Sequence, residues 1–221
     1  MEAYSTVLWD AFQYGQRPGH HDRPDHTYSQ RASCNSFALF DVDGDGRDEL
    51  LLRWPDSLVA DMSAYIWEFR DGALYEELRA FPEGLVFYEG GIVHIDWSHN
   101  QGFAGDSFWP YFLYAYNAET DQYSQIGAVD TWDKSYYTDG FPESADLDGD
   151  GMVYYLLLTD EDWADEYAHP VDGPAYMAWL DGILQDAPIL DIPWQPLSRE
   201  VIAALGYPEP EMPDLDELIP G

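Results

Sequence analysis

Apolar residues recur along this chain at two different periods, and the change of period divides it into regions. Tyr4, Leu8, Ala11 and Phe12 share one face at helical spacing, and Gly15 is placed to end that helix. A polar loop follows to about Gln30. Short apolar or alternating runs then come densely, at 37–40, 50–54, 64–69, 74–78, 85–88, 92–97, 111–116, 123–129 and 153–158, each of strand length and rich in aromatic and β-branched residues. Asp71-Gly72 and Gly90-Gly91 sit between such runs as two-residue hairpin turns, and 117–122 serves as a longer hairpin loop. Sequential hairpins predict an antiparallel meander.

The helical period returns after Asp172-Gly-Pro174, where Tyr176, Trp179, Leu180, Ile183 and Leu184 form one face. A second short helix is capped by Ser198, buries Val201, Ile202 and Leu205, and stops at Gly206. The predicted fold is therefore mainly β, an antiparallel meander of propeller-like or sandwich-like sheets, with flanking N- and C-terminal α-helices. The strand-rich stretch makes about three four-stranded blades, fewer than a closed propeller needs. Residues 1–207 read as a single β-rich domain. Residues 208–221 read as an acidic, proline-punctuated tail, extended or lying along the body through Leu215, Leu218 and Ile219.

Between the first two strands the chain reads Asp41-Val-Asp-Gly-Asp-Gly-Arg-Asp-Glu49. Asp41, Asp43 and Asp45 alternate so that their side chains converge on one concavity, Gly44 and Gly46 permit the sharp turn, and the Arg47 carbonyl and Glu49 add oxygens at positions seven and nine. That is the chemistry of a hard cation, Ca²⁺ above all. It is not an EF-hand, because strands flank it and the twelfth position is Leu52. The frame recurs at Asp146, Asp148, Asp150 and Gly151, but its ninth position is Tyr154. This second loop is expected to bind more weakly, to use water or a remote acid such as Asp160, or to be a turn that holds no ion.

The first loop resembles the metal loop of FG-GAP and VCBS-type repeats, the calcium-binding strand-loop-strand units of integrin-like propellers and many secreted bacterial proteins. It is also similar to a group of uncharacterised secreted or lipid-anchored bacterial proteins that carry one such loop after an N-terminal helix. The resemblance covers about a dozen residues closely. It implies ligation by Asp41, Asp43, Asp45, the Arg47 carbonyl and Glu49. It leaves function open, because such units occur in adhesins, lectin-like modules and enzyme accessory domains.

Charge changes the picture of partners. The 221 residues hold 43 acids against 9 bases, a formal charge of −34, and Lys134 is the only lysine. Such a surface repels nucleic acid and anionic membranes, and bound cations relieve its self-repulsion. It equally suits a mimic that occupies a basic protein's site. No apolar run is long enough for a membrane span. Cys34 is the only cysteine, so no internal disulfide exists, and it is expected as a buried or half-buried residue beside the first strand. Met1-Glu-Ala-Tyr reads as the opening of a structural helix, and no signal peptide is expected in this stretch. The chain then reads either as a mature domain of a secreted precursor, extracellular or on the cell surface, or as a cytoplasmic protein. Calcium-loop affinities favour the first.

Other constellations are less specific. His20, His21, Asp22, Asp25 and His26 combine imidazole and carboxylate as Zn²⁺ sites do, but in a loop with no scaffold, where a solvated segment is the simpler reading. His94 and Asp96 alternate onto one strand face, as a satisfied structural pair. Trp97, Trp109, Tyr111 and Trp132 are candidates for a sugar-stacking platform, against core packing as the simpler role. No nucleophile elbow, phosphate loop or His-Glu-x-x-His helix is present, and no pair of acids stands out as a glycosidase couple. Three functions follow: a calcium-stabilised binding or adhesion module for a protein or glycan, without catalysis; a cytoplasmic acidic mimic or immunity-type inhibitor of a basic protein; and a glycan hydrolase or accessory module.

Overall fold

The computed structural model describes residues 2–19, 24, 25, 27–56, 62–97 and 102–210. Among these, two antiparallel sheets dominate. In chain order the elements are α1 (Glu2–Tyr14), β1 (Ser36–Phe40), β2 (Glu49–Trp54), β3 (Ser63–Arg70), β4 (Ala73–Ala80), β5 (Val86–Tyr88), β6 (Ile92–Asp96), β7 (Tyr111–Asn117), β8 (Gln122–Asp133), β9 (Met152–Leu157), α2 (Asp160–Ala164), β10 (Pro170–Val171), α3 (Gly173–Leu184), β11 (Gln195–Pro196) and α4 (Arg199–Ala204). The first sheet runs β11-β1-β2-β3-β4 and the second β10-β9-β8-β7-β6-β5.

Each sheet is thus a meander closed at one edge by a short returning strand. The alternation of apolar residues decides the layers. Phe37, Leu50, Leu52, Tyr65 and Trp67 point to one side of the first sheet and pack with Leu8, Trp9 and Phe12 of α1 and Ile202 of α4. Their neighbours Ala38, Leu51, Ile66 and Leu78 point to the other side, where they meet Phe87, Val93, Ile95 and Tyr123 of the second sheet. The outer face of the second sheet, through Leu113, Val129 and Leu156, is covered by Tyr176, Trp179, Leu180 and Ile183 of α3. The order is helix, sheet, sheet, helix, and the central strands β2 and β3 bury both faces over most of their length. There are two stacked sheets in place of propeller blades, because each strand set must cover two apolar faces and no blade-length repeat divides it.

Two irregularities interrupt the regular strands. Ile66 pairs with Leu78 and Trp67 with Glu76, so Glu77 is an extra residue in β4. A bulge of this kind re-aims a side chain, and Glu77 and Leu78 are consecutive buried residues where strict alternation would expose one. The second is the path 188–194, which runs beside β5 through the Glu89 amide to Pro188 carbonyl bond (2.9 Å) and the Leu190 amide to Phe87 carbonyl bond (2.8 Å) before becoming β11 beside β1. One segment therefore lines an edge of each sheet.

The Asp71-Gly72 turn takes left-handed backbone at both central residues (φ 51° and 82°), as a primed hairpin requires. The helix Asp160–Ala164 lies outside the periodicity reading. Its signal was a capping box: the Thr159 hydroxyl accepts from the Asp162 amide, and the Asp162 carboxylate accepts from the Thr159 amide at 2.8 Å. Cys34 corrects its expectation, since it ends a 3₁₀ turn (Ala32–Cys34) and is exposed. His20, His21, Asp22, His26, His99 and the tail from residue 211 lie outside the described residues. The tail's start follows the body, with Glu209 paired to Arg199 at 3.1 Å and to the Gln13 amide at 3.2 Å. Among the described residues no helix is long and apolar enough to cross a membrane.

Candidate metal centre

The first loop joins β1 to β2, whose closing pair is Phe40 with Glu49. Its backbone is folded around its own acids. Asp41 accepts from the Gly44 amide at 2.8 Å and the Gly46 amide at 3.0 Å, Asp43 from the Asp45 amide at 2.9 Å, and Asp45 from the Arg47 amide at 2.8 Å. Gly44 and Gly46 have φ of 83° and 93°, which a side chain would resist. Asp41, Asp43 and Asp45 each present one oxygen within 4.8 Å of the others. Glu49, at position nine, has 0% exposure. One of its oxygens accepts from the Val42 amide at 2.9 Å and the other, Oε1, is buried with no partner.

A buried carboxylate oxygen without a donor is costly unless a cation or a proton meets it. Burial, set against the Val42 amide bond and reinforced by the charges of Asp43, Glu77 and Asp41, pushes the Glu49 carboxyl up to about 9. Three of the expected donors, Asp41, Asp43 and Asp45, therefore come together around this loop, and Glu49, the first residue of β2, bonds back to the loop through the Val42 amide. An all-oxygen group of this kind could hold a hard cation.

The second loop, within the connection from β8 to β9, repeats the pattern amide for amide. Asp146 accepts from the Gly149 amide at 2.9 Å and the Gly151 amide at 3.2 Å, Asp148 from the Asp150 amide at 3.1 Å, and Asp150 from the Met152 amide at 2.7 Å. Gly149 and Gly151 again have positive φ, 77° and 85°. Asp146, Asp148 and Asp150 also gather one oxygen each within 4.8 Å. The remaining amide is that of Leu147, the counterpart of Val42. It donates to Asp172 at 3.1 Å, a buried residue immediately before α3. Asp172 thus occupies the place that Glu49 has in the first loop, while Tyr154 at position nine stacks on Tyr176 of α3 at 4.2 Å between ring centroids. Asp160, the remote acid expected from the sequence, is instead exposed at the start of α2, beyond the far end of β9. Asp172 was hidden because Asp before Gly-Pro reads first as a helix cap, a role its side chain does not fill.

The acids around the first loop extend well past it. Glu49, Glu68 and Glu77 come from adjacent strands β2, β3 and β4, and Asp121 comes from the β7–β8 turn of the other sheet. Arg47 pairs with Asp45 and with Glu68 (2.7 Å), and Arg70 with Glu68 (3.0 Å) and Asp121. Gly91 lets the β5–β6 turn approach: a side chain there would meet Tyr116 Cβ at 2.8 Å and the Asp43 carbonyl at 3.5 Å.

The remaining sequence candidates resolve differently. His94 lies 3.1 Å from Asp96 and stacks on Tyr111 at 4.1 Å, and burial lowers its pKa against the pull of Asp96. Tyr111 and Trp132 are buried in separate apolar clusters, so the four aromatic candidates do not make one platform. Trp97 instead joins Phe112 and Trp163. Comparison with protein-family models, curated proteins and solved structures returns no match to this chain.

Proposed function

We propose that this protein is a calcium-stabilised binding module, working outside the cell or on its surface, that engages a protein or glycan ligand without transforming it. The observation that carries the reading is the paired loop: two separate segments fold onto their own carboxylates through the same set of amides, and each is closed by a buried acid, Glu49 in one and Asp172 in the other. Oxygen-only sites built on partly or fully exposed aspartates suit extracellular calcium levels. The second loop shares its β8–β9 connection with Tyr136 and Tyr137, exposed by 64% and 45%. An ion there would order a segment that presents aromatic rings to a ligand, and the −34 charge steers that ligand away from polyanions.

Calorimetric titration of the metal-stripped protein with CaCl₂ tests the reading. Binding is expected in the wild type, with the first-loop event removed by Glu49→Ala. Asp172→Asn weakens the second-loop event by at least about tenfold, the scale on which losing one supporting or ligating carboxylate acts. Asp160→Asn leaves both events intact. A wild-type titration without heat, together with an unshifted melting curve, rejects the reading.

A further inference from the structure

We propose that Asp43, Glu77 and Asp121 hold a further divalent cation, distinct from the loop ions, that clamps the two sheets together. One oxygen from each of the three lies within 4.8 Å of the others, about twice a Ca–O bond of ~2.4 Å and so the span of a single coordination sphere. They arrive from three places: Asp43 from the β1–β2 loop, Glu77 from the bulge in β4, and Asp121 from the β7–β8 turn of the facing sheet.

The independent observation is the state of Glu77. Its side chain belongs to a residue only 5% exposed, and both of its carboxylate oxygens are buried without a hydrogen-bond partner. An ionised carboxylate so placed is among the most costly things a fold can contain, and a bulge spent on turning it inward makes it no accident of packing. The nearby Tyr123 hydroxyl, from β8, is likewise buried and unpartnered.

The charge count points the same way. Register places Glu49 beside Glu68, one step beyond the Leu50–Trp67 pair, and Glu77 follows on the next strand, so three acids cross one face of the first sheet. Like charges at such positions repel. Arg47 and Arg70 form ion pairs with Glu68, and Arg70 and the Tyr116 hydroxyl reach Asp121, but neither arginine pairs with Glu49 or Glu77. A divalent ion bridged by Asp43 to the loop site supplies the missing positive charge. The site shares Asp43 with the loop but can be told apart from it, because neither Glu77 nor Asp121 belongs to the Asp41–Glu49 motif.

Native mass spectrometry counts the ions. In Ca²⁺, Glu77→Gln and Asp121→Asn are each expected to carry one ion fewer than the wild type. Asp41→Asn/Asp45→Asn, which empties the loop, retains the inter-sheet ion. Asn tolerates the left-handed backbone at Asp121 (φ 56°), so that variant keeps its turn even if Glu77→Gln folds poorly. In EDTA, Glu77→Gln melts no lower than the wild type; in Ca²⁺ it melts lower. Equal ion counts in the wild type, Glu77→Gln and Asp121→Asn, with the loop variant still losing one, overturn this site and leave the loop reading standing. A wild type that carries no ion overturns both.

Discussion

Chelation lowers the melting temperature of this protein by about 5–10 °C for each emptied loop, and Ca²⁺ restores it. The size follows from linkage: an ion present at a hundred times its dissociation constant stabilises the folded state by about 2.7 kcal/mol, and each kcal/mol moves the midpoint of a 150–250-residue domain by about 2–4 °C. The structure gives reasons to expect the full effect. Asp41, Asp43 and Asp45 converge within 4.8 Å, and Glu49 brings a buried oxygen that nothing satisfies, so removing the ion leaves crowded acids and a Glu49 that must take up a proton in its place. Mg²⁺ at equal concentration restores less, because it dehydrates reluctantly and needs shorter, near-octahedral geometry than a flexible loop of this size offers. Differential scanning calorimetry in EDTA, Mg²⁺ and Ca²⁺ measures this; superimposable scans contradict it.

The second large effect is a pH dependence of the metal-free protein that runs opposite to ordinary acid denaturation. Burial, opposed by the Val42 amide and reinforced by the charges of Asp43, Glu77 and Asp41, places the folded Glu49 carboxyl at about 9; burial, then the charges of Asp43 and Glu68, place Glu77 at about 8. Both values lie above the unfolded value of 4.5. Between the unfolded and folded values the folded protein holds protons that the unfolded chain has released. Stability is therefore highest below about pH 4.5 for these two groups, falls as pH rises through the window, and levels off above the folded values. Each group contributes a slope of up to about 1.4 kcal/mol per pH unit, so the pair costs several kcal/mol between pH 5 and 7. Denaturant titrations in EDTA at pH 5.5, 6.5 and 7.5 are expected to show this decline. Ca²⁺ flattens it, because the bound carboxylates are already ionised and ion binding releases their protons. Glu49→Gln/Glu77→Gln flattens it without Ca²⁺. An unchanged slope in that double variant assigns the decline to the general −34 charge and removes the two buried acids from the account.

Most of the fold was legible because its signals are local. The period of Tyr4, Leu8 and Phe12 is that of α1, the alternation around Leu50–Trp54 is that of β2, and Asp71-Gly72 turns where an Asp-Gly pair should. The stacking of the two meanders was not legible, since alternation states that a strand has two apolar faces but not which partner covers each. The candidate site divides the same way. Asp41, Asp43, Asp45 and Glu49 lie within nine consecutive residues, and spacing alone brings the three aspartates together. Glu77 and Asp172 are far from either motif in sequence, and each was masked by a plausible local role. Glu77 stands next to Glu76 in a strand where strict alternation gives one of the pair to solvent, and only the bulge between the Ile66–Leu78 and Trp67–Glu76 pairs turns it inward. Asp172 reads as a helix cap until the Leu147 amide is seen to bond it. Asp121 reads as a turn residue, which it also is, with left-handed φ. Long-range oxygens of this sort follow from sheet register and sheet facing, neither of which a single sequence specifies.

The claim on which the rest depends is that an ion sits among Asp41, Asp43, Asp45, the Arg47 carbonyl and Glu49. A crystal structure from calcium-containing solution, with anomalous scattering recorded at long wavelength, tests it most directly. The expected result is an anomalous peak at that position with carboxylate and carbonyl oxygens at about 2.3–2.6 Å, Glu49 Oε1 among them. Ordered loop density with no peak, and Glu49 Oε1 hydrogen-bonded to water or protonated against a neighbouring acid, contradicts it.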